Sequence, residues 1–262
     1  GIEEFLIDPI HRPLDQYPSY AECVKSYQDD FDAFCESVCP ALPEPWEDMR
    51  RKALWTIFGL IVEPDGETIF KHTMIKMLHG TFEHVSGWQQ AMQAIFLSKD
   101  IRLAWDVLRS SFDAQDENGR VADSISHASF SGTNMKPPFQ GVALGWLLEH
   151  NDLSEISHDE LEFVYDRRGK WTDFFFSFRD LDRDGVWENQ GAIETGWEDA
   201  AYFYVGFPLA SPDMNASTVR MMDALAKLGR KLGKPEAECE AWTKRADELT
   251  AKILEMFWNG ER

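Results

Sequence analysis

Apolar residues recur every three to four positions along almost the whole chain, and that period constrains the fold class before any motif is considered. Tyr20, Val24, Tyr27, Phe31, Phe34 and Val38 share one face of a first segment, and Trp46, Met49, Ala53, Ile57 and Leu60 share one face of a second. The spacing returns through Trp88, Met92, Ile95 and Phe96, then through Ile101, Ala104, Trp105, Leu108 and Phe112, with Asp100 placed as an N-cap. Further helices are expected over 137–150, 158–178, 215–233 and 236–258. Pro235 suits the first turn of the last helix, and Gly229 and Gly233 suit the end of its predecessor, which makes the pair a hairpin. Alternation of period two is scarce: only TIFKHTMIKM at 68–77 reads as a short strand or a turn. The chain reads as all-α, and no Gly-, Ser- or Pro-rich linker divides residues 1–262 into separate domains.

Charge narrows the partners. With 46 acidic against 26 basic residues the net charge is −20, which opposes binding to nucleic acid or to an anionic membrane surface. No apolar run approaches the roughly 20 residues that a membrane span needs, and GIEEFLIDPI is not a basic stretch followed by an apolar one. A soluble, cytoplasmic protein is expected. Cys23, Cys35, Cys39 and Cys239 form neither C-x-x-C pairs nor a dense scaffold, so free thiols are expected, with Cys35 and Cys39 buried one helical turn apart. His72, His79, His84 and His127 show no ligand spacing on one helix and are assigned no metal. No P-loop, G-x-G-x-x-G or G-x-S-x-G occurs, so no organic cofactor is expected.

Three long connections, 62–87, 114–136 and 179–197, are chemically loaded, and long ordered loops on a helical scaffold are where binding and catalysis concentrate. In the third, Asp180, Asp182, Asp184 and Gly185 reproduce the start of a calcium loop, D-x-D-x-D-G. Its end differs: Gly191 stands where an EF-hand has its bidentate Glu, leaving Glu188 and Glu194 as substitutes. Two readings stay open, a Ca2+ site on Asp180, Asp182, Asp184 and Glu188, and an Asp-rich turn that hydrogen-bonds its own backbone. Glu194, Glu198 and Asp199 then surround a Gly-Trp turn. A carboxyl beside an indole is desolvated and can stay protonated as a general acid; alternatively, these acids decorate a helix N-terminus. Trp88, Trp187 and Trp197 lie in or beside the loaded loops, where a flat aromatic could stack on a sugar ring.

Several stretches, taken in order, resemble a known family. They are SGWQQAMQAI at 86–95, DENGRVADSI at 116–125, KPPFQGVALGWLL at 136–148, RDLDRDGVWENQGAIETGWEDA at 179–200 and SPDMNASTVRMMDALAKLGRKLG at 211–233, before a helix ending in FWNG. The family is glycoside hydrolase family 63, which includes the mannosylglycerate and glucosylglycerate hydrolases and, more distantly, processing α-glucosidase and trehalase. The resemblance implies an (α/α)6 toroid of helical hairpins and an inverting hydrolysis of an α-linked glucoside or mannoside. It places Glu198 where the family has its general acid, an Asp, with Asp199 as the alternative acid. It implies substrate contacts from Trp88, Gln89, Gln140, Glu194 and Trp197; Gln89 stands where the family has Asp, and Val121-Ala122-Asp123 stands where it has a Pro. The family's base lies beyond FWNG, so the base is expected outside this chain, on a second polypeptide or segment that completes the barrel. Other readings are a carbohydrate-binding protein that kept the barrel without the chemistry, and a sugar epimerase or isomerase.

Overall fold

The computed structural model describes residues 18–64, 66–77, 84–126 and 134–261; His79 and His127 lie outside them. Each helix starts and stops on local chemistry. Ser19 and Glu22 close a reciprocal capping box that opens helix α1 (Tyr20–Val38), and helix α2 (Glu47–Phe58) packs on it through an edge-to-face contact between Phe31 and Trp55, 5.0 Å between centroids. Helices α3 (Gly87–Phe96) and α4 (Ile101–Ser110) follow, with the Leu103 amide donating to Asp100 Oδ1 at 3.1 Å as the N-cap expectation required. Phe112 falls beyond α4, in a 3-10 turn over Ser111–Ala114. Helix α5 is Gln140–His150, and α6 (His158–Phe178) opens on a second capping box, Ser157 with Glu160. Helix α7 (Pro212–Leu232) ends at Gly233, whose φ of 74° is the left-handed cap, and α8 (Glu236–Phe257) follows directly. Gly229 is inside α7 rather than at its end: a Cβ there would lie 3.0 Å from Cys239 Sγ, so this glycine sets the spacing of the α7–α8 hairpin.

Helices α3, α5 and α7 lie side by side, with α4 against α3 and with α6 and α8 against α7. The inner position follows from sequence, since α7 buries Met214, Met221, Ala224, Leu225, Leu228 and several small residues, whereas α8 buries only Cys239, Ala246 and Leu249. At Gly141 of α5 a Cβ would sit 2.4 Å from the Met221 Cα, so the two inner helices meet backbone to backbone. The inner helices point the same way. Asn151, just past α5, donates to the Ser98 carbonyl just past α3 at 2.5 Å, and Lys227 near the end of α7 pairs with Glu149 near the end of α5. Short turns (97–100, 151–157, 233–235) therefore gather on one face, and the long connections (59–86, 111–139, 179–211) all lead into inner-helix N-termini on the other.

Those long connections are pinned by two-residue antiparallel ladders. Strand β1 (Ile61–Val62) pairs with β2 (Met74–Ile75), β3 (Val85–Ser86) with β4 (Ser124–Ile125), and β5 (Glu188–Asn189) with β6 (Leu209–Ala210). The stretch at 68–77 thus holds one short strand, β2. Gln90 of α3, fully buried, accepts from the Ile75 amide at 3.0 Å and donates to the Ile75 carbonyl at 2.5 Å, fastening β2 to the inner row. The all-α expectation holds, with eight α-helices among the described residues. Cys35 and Cys239 are buried, Cys39 is half-buried, and all four thiols are free. No described helix is long and apolar enough to cross a membrane.

Candidate active site

The site grows from residues 179–211. Trp187 is 0% exposed and stacks on Phe175 with centroids 4.3 Å apart; its amide donates to Asn215 Oδ1 (3.2 Å) and its indole N–H to Thr218 Oγ1 (3.0 Å). Asn215 Nδ2 donates in return to the carbonyls of Trp187 and Ser211, each at 3.0 Å. The first turn of α7 thus holds the middle of the connection, and Trp187 belongs to the core instead of to a sugar platform.

Glu194, expected to contact substrate, is buried and occupied. Its two oxygens accept from Arg179 at 2.9 and 3.1 Å, and one also accepts from the Gln190 amide at 2.7 Å. A bidentate pair sealed from water is worth its desolvation only while both members remain, so this one locks the turn in place. Gln140 is also fully buried: its Nε2 donates to the Gly87 carbonyl at 2.6 Å, joining the starts of α3 and α5, and its Oε1 has no hydrogen-bond partner among the described residues. These two expectations are corrected to support behind the site.

Beyond Glu194 the chain comes to the surface. The Trp197 amide donates to Thr195 Oγ1 at 2.9 Å, and Gly196 has a φ of 75°. A Cβ at Gly196 would lie 3.3 Å from the Trp88 indole, so a glycine lets the turn settle against α3. Trp88, half-buried, also meets Phe139 at 5.8 Å between centroids. Trp197 is 67% exposed, and Asp199 is exposed. The Glu198 side chain is 52% exposed and its Oε1 lies 3.8 Å from Lys136 Nζ, while Lys136 also donates to the Ile193 carbonyl. Gln89 is placed apart from this group, lining a cavity of about 180 Å3 with Leu60, Ile75, Lys76, Met77, Met92 and Gln93.

One carboxylate in this neighbourhood was missed by sequence reasoning. Asp123, half-buried, lies next to β4, and its carbonyl accepts from the Gly87 amide at 3.4 Å, just ahead of Trp88. Burial raises its pKa, the Lys136 charge works the other way, and the Glu194 and Glu198 charges raise it further. Its only signal in sequence was an acid in place of the resembled family's proline.

The Asp-rich turn lies at the start of the same connection. Ligand oxygens of Asp180, Asp182 and Glu188 fall within 4.8 Å of one another. Asp184 is not among them, and its Oδ1 accepts from the Val186 amide at 2.7 Å. The turn makes the expected backbone bonds as well: Asp182 Oδ1 accepts from the Asp184 amide at 3.2 Å and Asp180 Oδ2 from the Gly185 amide at 3.0 Å. Arg183 (φ 61°) and Gly185 (φ 86°) supply the left-handed backbone that folds the carboxylates inward. Burial raises the Glu188 pKa, the Leu181 amide bond lowers it, and Asp182, Asp180 and Asp184 raise it again. Asp180 Oδ1 is buried without a protein partner, and three oxygens this close suit a hard, oxygen-loving cation.

Comparison with known proteins identifies a family and a fold. The family model described as mannosylglycerate hydrolase MGH1-like glycoside hydrolase domain matches residues 83–262. Among solved structures, the GH63 mannosylglycerate hydrolase from Thermus thermophilus in complex with glucose is similar at 16% identity and a TM-score of 0.59, covering 76% of this chain and 62% of that one. The same enzyme in complex with Tris and D-glycerate gives 16% identity and a TM-score of 0.62, covering 76% and 64%. An uncharacterized conserved protein from Thermus thermophilus gives 18% and 0.60, covering 76% and 62%. This chain thus spans less than two thirds of the length of these structures, and at such identities the likeness establishes the helical toroid. No curated protein sequence matches the chain.

Proposed function

The chain belongs to the mannosylglycerate hydrolase MGH1-like glycoside hydrolase domain family, and from that premise we propose that it carries the general acid of an inverting glycosidase acting on an α-linked glucoside or mannoside, either a small glycoside or an oligosaccharide. The observation that carries the reading is Glu198. It is a half-exposed carboxyl on the face where the inner helices begin, on a turn fixed from behind by the Arg179–Glu194 pair and from the side by Trp88. Glu198 gives its proton to the leaving oxygen as the glycosidic bond breaks, and a second carboxylate takes a proton from the water that attacks the opposite face of the sugar. Glu198 recovers its proton from solvent for the next cycle. The resemblance assigns the base to helices that would close the ring, on a further segment or second polypeptide. Trp88 and exposed Trp197 supply flat faces for sugar rings, whereas Gln89, which lines a separate cavity, takes no part in this reading.

Asp180, Asp182 and Glu188 would hold Ca2+, whose charge would relieve the repulsion among them and stiffen the connection that bears the acid. It is structural in this reading, and melting the protein with and without added calcium tests it. In the protein that also carries the segment or polypeptide supplying the base, replacing Glu198 by Gln should abolish hydrolysis of α-glucosides and α-mannosides without lowering the melting temperature. Wild-type turnover in that variant would overturn the assignment, and loss confined to Asp199→Asn would move the acid by one residue. The Glu at 198 and the Gln at 89, where the resembled family has Asp, favour one other reading: a carbohydrate-binding protein, identified by saturable glucose or mannose binding with no hydrolysis.

A further inference from the structure

Arg168 of α6 is fully buried and has no counter-charge among the described residues. Its Nη2 donates to the Leu108 carbonyl at a long 3.4 Å, its Cζ lies 5.1 Å from the centre of the Phe112 ring, and its Nε and Nη1 make no hydrogen bond. Burial pushes its pKa down to about 9, so the guanidinium is still charged at neutral pH. The acids of the two flanking helices are committed elsewhere: Glu160 to Arg102 and Arg109, Asp106 to Arg109, Glu162 to Lys234 and Asp173 to Arg245. Asp159 and Asp166 of α6 are exposed. Asp113, in the 3-10 turn after α4, is held by the His72 ring and by the amides of Lys71 and His72. A carbonyl at the end of α4 and an aromatic face offset only part of the cost of burying the charge, and a fully buried arginine is ordinarily paired.

The orphaned polar atoms beside it are donors. Trp171, one turn on from Arg168, sets its ring edge-on to Phe112 at 5.7 Å, and its buried indole N–H has no acceptor. Trp105 and Ser111 stand three residues to either side of Leu108, on the same side of α4 and its extension; the Trp105 indole N–H and the Ser111 hydroxyl are buried and unpartnered too. Unpaired donors collected round a buried cation mark the place of an acceptor that carries negative charge. We propose that a monatomic anion, of the size and charge of chloride, binds between α4 and α6 on Arg168 Nε and Nη1, with Trp105, Trp171 and Ser111 as its other donors. Water in that place would satisfy donors and leave the charge standing. Arg168 and both indoles are at 2% exposure or less, which favours a single atom over sulfate or a carboxylate, whose further oxygens would need donors of their own. The ion fastens the end of α4, where the connection 111–139 begins, to the middle of α6, and the inference is independent of the role given to Glu198.

Bromide tests the site directly, because it replaces chloride and scatters X-rays anomalously. Crystals of the whole chain grown in sodium bromide should show an anomalous peak within hydrogen-bonding reach of Arg168 Nε and Nη1. Density there without anomalous signal, the mark of water, or no density at all, would overturn the proposal. In solution, melting is compared in sodium chloride and in chloride-free sodium gluconate of equal ionic strength. Arg168→Met removes the charge, keeps an apolar side chain in its place and carries the general effect of the two salts. The gain of the wild type in chloride over gluconate should exceed that of Arg168→Met by on the order of 5 °C. An equal response of the two proteins would sink the idea. Should Arg168→Met fail to fold, the bromide peak in the wild-type crystal decides by itself.

Discussion

Glu194 and Glu198 belong to one turn of one connection and live in opposite surroundings. Glu194 is sealed, with Arg179 on both its oxygens and a backbone amide besides; Glu198 stands half in water with a lysine at 3.8 Å. The difference teaches that this turn is built in two layers: a sealed, ion-paired carboxylate holds in place a carboxylate that stands open to solvent. The same contrast separates Trp187, stacked in the core, from Trp197, exposed beside the acid.

Removing the sealed member should do the most damage. Glu194→Ala leaves Arg179 charged, buried and alone, at a cost of about 3–5 kcal/mol. Thermal unfolding should show a drop on the order of 10 °C for a chain of this size; an unchanged melting temperature would erase the distinction between the two layers. Glu198→Gln should behave in the reverse way, with stability within about 0.5 kcal/mol of wild type and a rate lower by roughly 10²–10⁴.

Calcium sharpens the contrast from the other end of the connection. At a concentration about one hundredfold above its dissociation constant, Ca2+ should stabilise the protein by about 2.7 kcal/mol. Asp182→Asn should shrink that gain in a melting experiment with and without chelator, whereas Asp184→Asn, whose oxygen already serves the Val186 amide, should keep most of it. Gly196→Ala places a Cβ at φ 75° against Trp88 and should cost about 1–2 kcal/mol, read by urea unfolding, while reducing turnover by tilting the acid.

The smallest expected effect lies outside the site and asks whether sealing alone makes a carboxylate stabilising. Burial disfavours the Glu160 charge, yet hydrogen bonds from Arg102 and Ser157 and the Arg109 charge hold its pKa at about 2, against an ordinary value of 4.5. A depressed folded-state pKa means that the folded state binds the proton less readily than the unfolded one. Its contribution is therefore complete above about 4.5 and is lost as pH falls toward about 2. Glu160→Gln should destabilise at about pH 6 and converge on wild type at about pH 2, in paired urea titrations.

Much of the scaffold was legible because its causes are local. The periodicity drew the helices to within a few residues, Asp100 announced its cap, and the loaded loops proved to be the ones that share a face. What stayed hidden depends on neighbours distant in sequence. Gly229 looked like a stop signal, and only the Cys239 thiol across the hairpin shows it to be a spacer. Glu194 and Glu198 carry the same functional group, and it takes Arg179 and Lys136 to tell them apart. Trp187 could not be sorted from the other loop tryptophans without Phe175 and Asn215. Asp123 drew no notice because its half-buried setting comes from the β3–β4 ladder and the Gly87 amide, far from it in sequence.

The division of the molecule into a face of short turns and a face of long connections also makes it convenient to handle. Helix α7 alone, 21 residues long, separates the two faces by about 30 Å. A dye, tag or surface linker attached near Lys234 would sit on the opposite face from Glu198, on a turn closed by Gly233. Immobilised by that turn, the protein would present the face of its long connections outward, open to ligands of any length.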